Sequence, residues 1–572
     1  MKVFQSYSLK SRHDHGTGRK RRRLGQSLTR PARYGALACG ALPVLAFPAP
    51  NLEFLAWCGL VPGLLLMRAS GSAREAAARG WWFGAGFMLA AHYWLAPSIG
   101  PGLLLAAIVI GALWIGVGVS AWALLRPPMT SSRTAAALVV VPSYWLVVEW
   151  VRSWQALGGP WALLGASQWQ HPTLLALAAV GGVWLMSFAI VAANTAAVVI
   201  LAAPRPALRL LGAAAGMVMV VAGPVAFAAL PAPHATGSVR VALVQPGLLN
   251  GPQPRLAANE RLTAALTSHH PDLVVWGESS VSFTLADDHA LLGRIEALSA
   301  HTRAQVLADQ DSYTAKGKAK LAVLVGPHGI VATYTKTRLV PFGEYIPFRQ
   351  QLGWLTSISR AAQVNMVPGR GARVMTVTMP DGRPFKVGVL ICFEAAFPDM
   401  SRADTLHGAR MVIYQTSDST FQDTWAPAQH ASLAAVRAAE TGRPVVQAAL
   451  TGVTAAFDAQ GRLLAWLGTS HRGAVVVRAG LVPSSFLTPF DRLGAFVAWI
   501  TLGVATISAG FGWKAARKQR VKAGIMMVGN RQPGVSVSIS ERVTPRGCEP
   551  TAPDSGTGAA PPSTAGAEPP AR

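Results

Sequence analysis

The sequence predicts a chain in two parts, a multi-span α-helical membrane domain and an α/β domain outside the lipid. Three observations carry this expectation. Of 572 residues, 51% are hydrophobic and only 13% charged, well below the charged share of an ordinary soluble domain. Long apolar runs fill the first 230 residues, whereas short β-branched runs alternate with helical stretches from 237 to 485. Eighteen tryptophans point the same way, because indoles favour the membrane interface.

In chain order, residues 1–32 form a basic tail with "GRKRRR" around Arg21. It is too long and polar before its first apolar run for a cleaved signal peptide. Apolar runs near 33–49, 51–67, 80–98, 101–125, 134–151, 173–203 and 207–230 then predict a membrane domain, 33–230, of about seven helices. Their lengths suit a hydrocarbon core of ~30 Å, although the first two are short. An eighth run, near 491–513, predicts a final span. The tail from 514 to 572 opens with "KAARKQRVK" and from about Gly524 has the Pro, Ser, Gly and Thr content of disordered chain. Much of the net charge of +25 sits in these two tails, where anionic headgroups hold basic segments. No nucleic-acid motif accompanies it, so the charge reads as a membrane anchor.

The arginines predict the orientation. Arg68, Arg74 and Arg79 follow span two, Arg126 and Arg133 follow span four, and Arg205 and Arg209 follow span six. "FPAPN" after span one and "PSIGPG" after span three carry no Lys or Arg. The positive-inside rule therefore places both tails in the cytoplasm and residues 237–485 on the outer face, the periplasm of a two-membrane bacterium.

Within 237–485 the runs "VRVALVQ", "DLVVWGES", "AQVLAD", "VGVLI" and "RMVIYQTS" read as strands, with hairpins turning at Gly326–Gly329 and at "PDGRP". Four scattered cysteines, Cys39, Cys58, Cys392 and Cys548, suggest neither a disulfide framework nor a zinc site. Cys392 alone lies in the polar domain, where "VGVLI" hands over to "EAAFPDM". Glu278 ends the strand "LVVWG", and Lys336 follows a hairpin strand. A thiol needs a base or a cation to become a competent nucleophile, and a carboxylate with an ammonium supplies both. Taken singly, each has a plainer reading: cysteine as core, Glu and Lys as surface. Spacing does not show that the three converge.

In order, "VVWGES", "YTKTRLVPFGEYIPF" and "GVLICFEAAFP" resemble the Glu, Lys and Cys motifs of the carbon–nitrogen hydrolase (nitrilase) superfamily. Taken with the spans, the chain is similar to the apolipoprotein N-acyltransferase family. "RAAETGRPVVQAALTGVTAAFDAQG", "EWVRSWQALGGPWALLGASQ" and "LAFPAP" extend the resemblance from about residue 36 to 513. It implies a nitrilase-like αββα sandwich over 237–485, with Cys392 as nucleophile, Glu278 as general base and Lys336 as oxyanion stabiliser. Glu344 and Glu394 would orient the lysine or line the site, with Phe393 beside the nucleophile. Arg338 receives no role and reads as a solvated strand residue. The resemblance further implies a membrane phospholipid as acyl donor, an apolipoprotein as acceptor, a single copy of the chain in the inner membrane, and no metal or nucleotide.

Three departures surround the triad. Phe393 stands where the family usually has Tyr, "SDSTFQD" keeps only Asp418 and Phe421 of an Asn-Asp-x-Trp-Phe pattern, and no aromatic residue lies near Arg255. A membrane-tethered amidase using the same residues, or a non-catalytic scaffold that binds lipoproteins, remain as alternatives. Eight spans favour acyl transfer, since a tether needs only one. The Trp-rich loop from Arg152 to Pro172 reads as an interfacial belt or as a shield for the site.

Overall fold

The computed structural model describes residues 30–314, 317–354 and 365–529. The "GRKRRR" run, Cys548 and the tail beyond 529 lie outside the described residues. Residues up to Phe511 form one compact unit, and a second unit begins at Gly512.

The membrane part contains α1 (30–41), α2 (Leu55–Arg68), α3 (Ala73–Ala91), α4 (Gly102–Leu125), α5 (Ser131–Arg152), α6 (Pro172–Ala202) and α7 (Pro206–Ala229). Side-chain oxygens of Ser72 and Thr130 accept the N–H groups of Glu75 and Arg133, capping α3 and α5, and prolines open α6 and α7. Among the described residues, five helices are long and apolar enough to cross a membrane: α4 to α7 and the stretch Phe496–Lys514.

The other three expected spans differ in form. The first two are interrupted by a 3-10 turn and loop between α1 and α2, which leaves each piece short. The third begins at Ala73, ahead of the apolar run, and carries Glu75 and Arg79 as a buried ion pair, with Arg74 exposed. Arg33 donates to Glu75 Oε2 at 2.7 Å, and Arg79 donates to Glu75 Oε1 at 3.1 Å. Arg74 and Arg79 therefore belong to α3 and not to the preceding loop.

The α/β domain holds two six-stranded sheets. The first orders β12-β1-β2-β3-β4-β5, the second β11-β10-β9-β8-β7-β6. Their ranges are β1 (Ser238–Gln245), β2 (Leu273–Trp276), β3 (Gln305–Thr314), β4 (Gly317–Gly326), β5 (Gly329–Thr335), β6 (Val374–Thr378), β7 (Pro384–Ile391), β8 (Met411–Thr416), β9 (Val445–Ala449), β10 (Thr454–Phe457), β11 (Leu463–Leu467) and β12 (Gly473–Gly480). β1, β2 and β3 run parallel, as do β7, β8 and β9.

Alternation along the strands separates two faces. Val241, Leu243, Val275 and Leu307 face the second sheet and share one core with Val387, Val389 and Ile413. Val244, Val274, Trp276 and Val306 pack instead with Leu256 and Ile295, which lie on α8 (Pro252–Ala264) and α9 (His289–Thr302). The second sheet is covered by α10 (Pro398–Leu406) and α11 (Ala426–Thr441). The result is an αββα sandwich. A buried glutamine stitches the sheets together: Gln415 Nε2 donates to the Trp276 carbonyl at 2.9 Å and to the Leu307 carbonyl at 3.3 Å.

α11 also packs against α6, so the α/β domain rests on the membrane helices. α6 is broken at Gly181 and Gly182, which leaves the Val183 N–H without its helical partner. The Glu440 carboxylate of α11 fills that vacancy at 2.7 Å. The chain ends its described course in α12 (Phe496–Gly529), helical on both sides of the boundary at Gly512.

Candidate active site

The carboxyl ends of β2, β5 and β7 converge, as ligand crevices in layered α/β folds commonly do. Cys392 follows β7 directly, at a φ of +53°. The 3-10 turn Cys392–Ala396 then leads into α10. This left-handed backbone turns the thiol away from the strand direction and is strained for a residue with a Cβ.

Glu278 lies just beyond β2, and its position depends on Gly277. A Cβ there would stand 1.9 Å from the Leu450 nitrogen, so only glycine lets the β2 end pass the 449–450 backbone. The Glu278 N–H then donates to the Thr416 carbonyl at 3.1 Å. Lys336 follows β5 and is held by its backbone on both sides, donating to Lys320 O and accepting from Gly369 N.

The structure brings these side chains together. Lys336 Nζ lies 2.7 Å from Glu344 Oε1 and 3.3 Å from Glu278 Oε1, and all three are buried. Glu344 Oε2 accepts the Val340 N–H at 2.9 Å, which fixes the lysine's partner in turn. Burial drives the Cys392 thiol well above its usual range, and the Glu278 anion adds to this against the opposing pull of Lys336. Burial would also raise Glu278, but the Lys320 and Lys336 ammoniums outweigh it and hold the carboxyl at about 2. The resting site is therefore a neutral thiol beside an ionised carboxylate. In this state the proton sits on sulfur, with an acceptor carboxylate beside it.

Glu394 has a different geometry from Glu344. Its Oε1 accepts the N–H groups of Thr337 (2.6 Å) and Arg338 (2.9 Å) and the Tyr334 hydroxyl (2.8 Å). Its Oε2 accepts the Ile391 N–H at 2.8 Å. It clamps the segment after Lys336 to the strand end before Cys392. Phe393 packs edge-to-face on Phe397, with ring centroids 4.9 Å apart. Arg338 is not simply solvated: it pairs with Asp399, and its guanidinium lies 4.1 Å from the centre of the Phe397 ring.

The loop between α5 and α6 closes over this region. Arg152 donates to the carbonyls of Trp161 and Ala162, while Glu149 Oε1 accepts the Leu164 N–H at 2.7 Å. Gly159, at φ +76°, lies so close to the Cys392 turn that a Cβ would stand 2.8 Å from the Phe393 ring. Trp161 Nε1 donates to Gln429 Oε1 at 2.9 Å, and its ring packs 5.2 Å from Trp94 and 5.7 Å from His430. Phe421, retained in the "SDSTFQD" stretch, adds its ring to Trp94 at 4.8 Å.

Two buried groups escaped the reading of the sequence. Lys320 on β4 lies 3.4 Å from Glu278 Oε1, beside the same oxygen that Lys336 approaches. His430 on α11 bridges Asp418 Oδ1 at 3.0 Å and the Cys392 carbonyl at 3.1 Å. Burial opposes its charge, but Asp418 prevails and the imidazole is raised above its usual value. As an imidazolium it donates to both partners. Lys320 looked like an ordinary alternating strand residue and His430 like one of many helix positions; only their distant partners reveal them. Among the described residues no cluster of His, Cys, Asp and Glu could hold a metal ion.

Comparison with known proteins agrees with both halves. Residues 39–196 match the family described as Apolipoprotein N-acyltransferase N-terminal domain, and residues 240–480 match Carbon-nitrogen hydrolase. A protein of Sinorhizobium medicae named apolipoprotein N-acyltransferase is 30% identical over 546 residues, covering 84% of this chain and 95% of the relative. One of the same name from Geobacter metallireducens is 28% identical over 507 residues, covering 84% and 95%. Among solved structures, the amidase of Nesterenkonia sp. AN1 with acrylamide added to its active-site cysteine overlaps 42% of this chain and 92% of its own. That overlap has 19% identity and a TM-score of 0.31. With relatives matched over nearly their whole length, and both halves recognised in order, the chain belongs to the apolipoprotein N-acyltransferase family.

Proposed function

We propose that this chain moves a fatty acyl group from a membrane phospholipid to the N-terminal amine of a diacylglyceryl-cysteine apolipoprotein, through a thioester on Cys392. The observation that carries the reading is the buried set Glu278, Lys336 and Glu344 gathered at the Cys392 turn.

Glu278 accepts the thiol proton as sulfur attacks the ester carbon of the phospholipid. The tetrahedral oxyanion forms beside Lys336, whose ammonium is fixed by Glu344 and needs no reorganisation. The carbon–oxygen bond breaks, and the lysophospholipid alkoxide takes the proton back from Glu278. In the second half, the acceptor amine attacks the thioester and gives its proton to Glu278. The carbon–sulfur bond breaks, and the departing sulfur recovers that proton. Donor and acceptor use one site in turn. Supporting this order, the loop bearing Gly159 and Trp161 packs apolar surface over the turn, where water would otherwise compete. The arginine distribution supports a site on the outer face of the inner membrane, within reach of both lipid and exported lipoprotein.

The test is mass analysis of the Cys392 peptide after the full chain meets phosphatidylethanolamine. Wild type should carry one fatty acyl group, lost on addition of a diacylglyceryl-cysteine peptide. Glu278→Gln should accumulate it about 100-fold more slowly or worse. An unmodified peptide in preparations that still acylate lipoprotein would refute the mechanism. Acid release from soluble amides without acyl transfer would make the chain an amidase.

A further inference from the structure

We infer that Lys320 is a positioning residue for the base, a second buried ammonium that fixes the Glu278 carboxylate and keeps it ionised while the thiol proton is transferred. The inference rests on the reading of Glu278 as base to Cys392 and adds to it a residue outside the recognised motifs.

The geometry is specific. Lys320 and Lys336 approach the same oxygen, Glu278 Oε1, at 3.4 and 3.3 Å. They descend from adjacent backbone: the Lys336 N–H donates to the Lys320 carbonyl at 2.9 Å. Two buried ammoniums this close repel each other, so each requires its own anion. Glu344 serves Lys336 at 2.7 Å, and Asp311 serves Lys320 at 2.9 Å. Asp311 is the cross-strand partner of Lys320 in the β3–β4 register, so the pair is set by strand pairing itself. Ser279, next to Glu278, accepts a further hydrogen bond from Lys320 Nζ.

Around the carboxylate, Lys320 and Lys336 favour the ionised form, and so does the hydrogen bond it receives from the neutral Cys392 thiol. The Asp311 and Glu344 anions are paired with the two ammoniums. His430 lies beyond, paired with Asp418, and Lys318 pairs with Asp311 at 3.3 Å. Asp309 Oδ1 accepts the Ser279 N–H at 2.7 Å, while its Oδ2 finds no partner among the described residues. Burial raises Asp309 well above the carboxylate range against the pull of Lys320, and the Glu278 and Asp311 anions add to the rise. Lys320 thus has a chemical consequence that Lys336 alone does not supply. Once Glu278 carries the thiol proton, two ammoniums make it a strong acid, ready to return that proton to a leaving alkoxide.

The experiment needs no lipid. The full chain in detergent is treated with iodoacetamide from about pH 4 to about pH 9, and alkylation is read at the Cys392 peptide by mass spectrometry. The part of the rate that Glu278→Gln abolishes reports the base. In wild type that part should persist to the acid end of the range. In Lys320→Met and Lys320→Gln its acid limb should move upward by about two pH units or more, from about 2 into the scanned range, a hundredfold change in proton affinity. A folded neutral variant whose profile superimposes on wild type would overturn the inference. Unfolding of both neutral variants would assign Lys320 a purely structural role and overturn it equally. If Glu278→Gln leaves alkylation unchanged at every pH, it is the base assignment that fails, a distinct outcome.

Discussion

The Cα of Gly277 passes so near Leu450 that any side chain at 277 would collide with the Leu450 backbone nitrogen. Glu278 is the next residue, so the collision would be relieved by moving its carboxylate, the proposed base. Gly277→Ala should lower the rate of Cys392 acylation by about 100-fold, the usual cost of displacing a reacting group by about 1 Å. The check is single-turnover acylation at matched protein concentration, with Lys336→Met as the inactive reference. Equal rates for Gly277→Ala and wild type would mean that this passage does not set the base.

Glu394 accepts four donors from three directions, and none of them is a substrate. Glu394→Gln replaces one accepting oxygen by an NH2 group that confronts an N–H donor. A buried polar group left without its bond costs about 1–3 kcal/mol, so melting temperature and acylation rate should fall together. Retained stability with lost activity would instead assign Glu394 a direct chemical part.

His430 gives a pH dependence of defined sign. Its proton affinity is higher in the folded chain than the ordinary 6.5, because Asp418 faces it. The stabilisation it supplies is complete below the unfolded value and is lost as pH rises through the folded one. Thermal unfolding of wild type minus His430→Gln should show a difference that is largest below the ordinary imidazole value and shrinks as pH rises past it, through the raised folded value. A difference constant with pH would mean a neutral imidazole.

Trp161 spans the loop after α5 and the α11 helix through Gln429. Trp161→Ala should open the site to water, so that thioester hydrolysis gains on transfer. Free fatty acid released per lipoprotein acylated is the measure, and an unchanged ratio would exclude a shielding role.

Strands alternating with helices were legible from the β-branched runs, and so was the position of Glu278, Lys336 and Cys392 at or just past strand ends; the two-layer sandwich and the convergence of the three came only from the family resemblance. The Cys392 strand closes at Ile391, as "VGVLI" suggested. Less was legible where partners lie far apart in sequence. Lys320 reads as one lysine of "KAK" until Glu278 is seen beside it, and Gly277 reads as a turn residue until Leu450 approaches. The membrane helices show the same limit. Arg74 and Arg79 read as a loop after span two, yet they lie in α3, where Arg79 pairs with Glu75 and Arg33 of α1 reaches the same carboxylate. The break in α6 at Gly182 was hidden inside an unbroken apolar run.

The contact of Gly159 with the Phe393 ring means that the chemical half of the molecule borrows one wall from its lipid-embedded half. Severed near residue 237, the sandwich would keep Cys392, Glu278 and Lys336 but lose the wall that Gly159 supplies. A change of loop length between α5 and α6 would therefore alter both that wall and the packing of the two halves on one another.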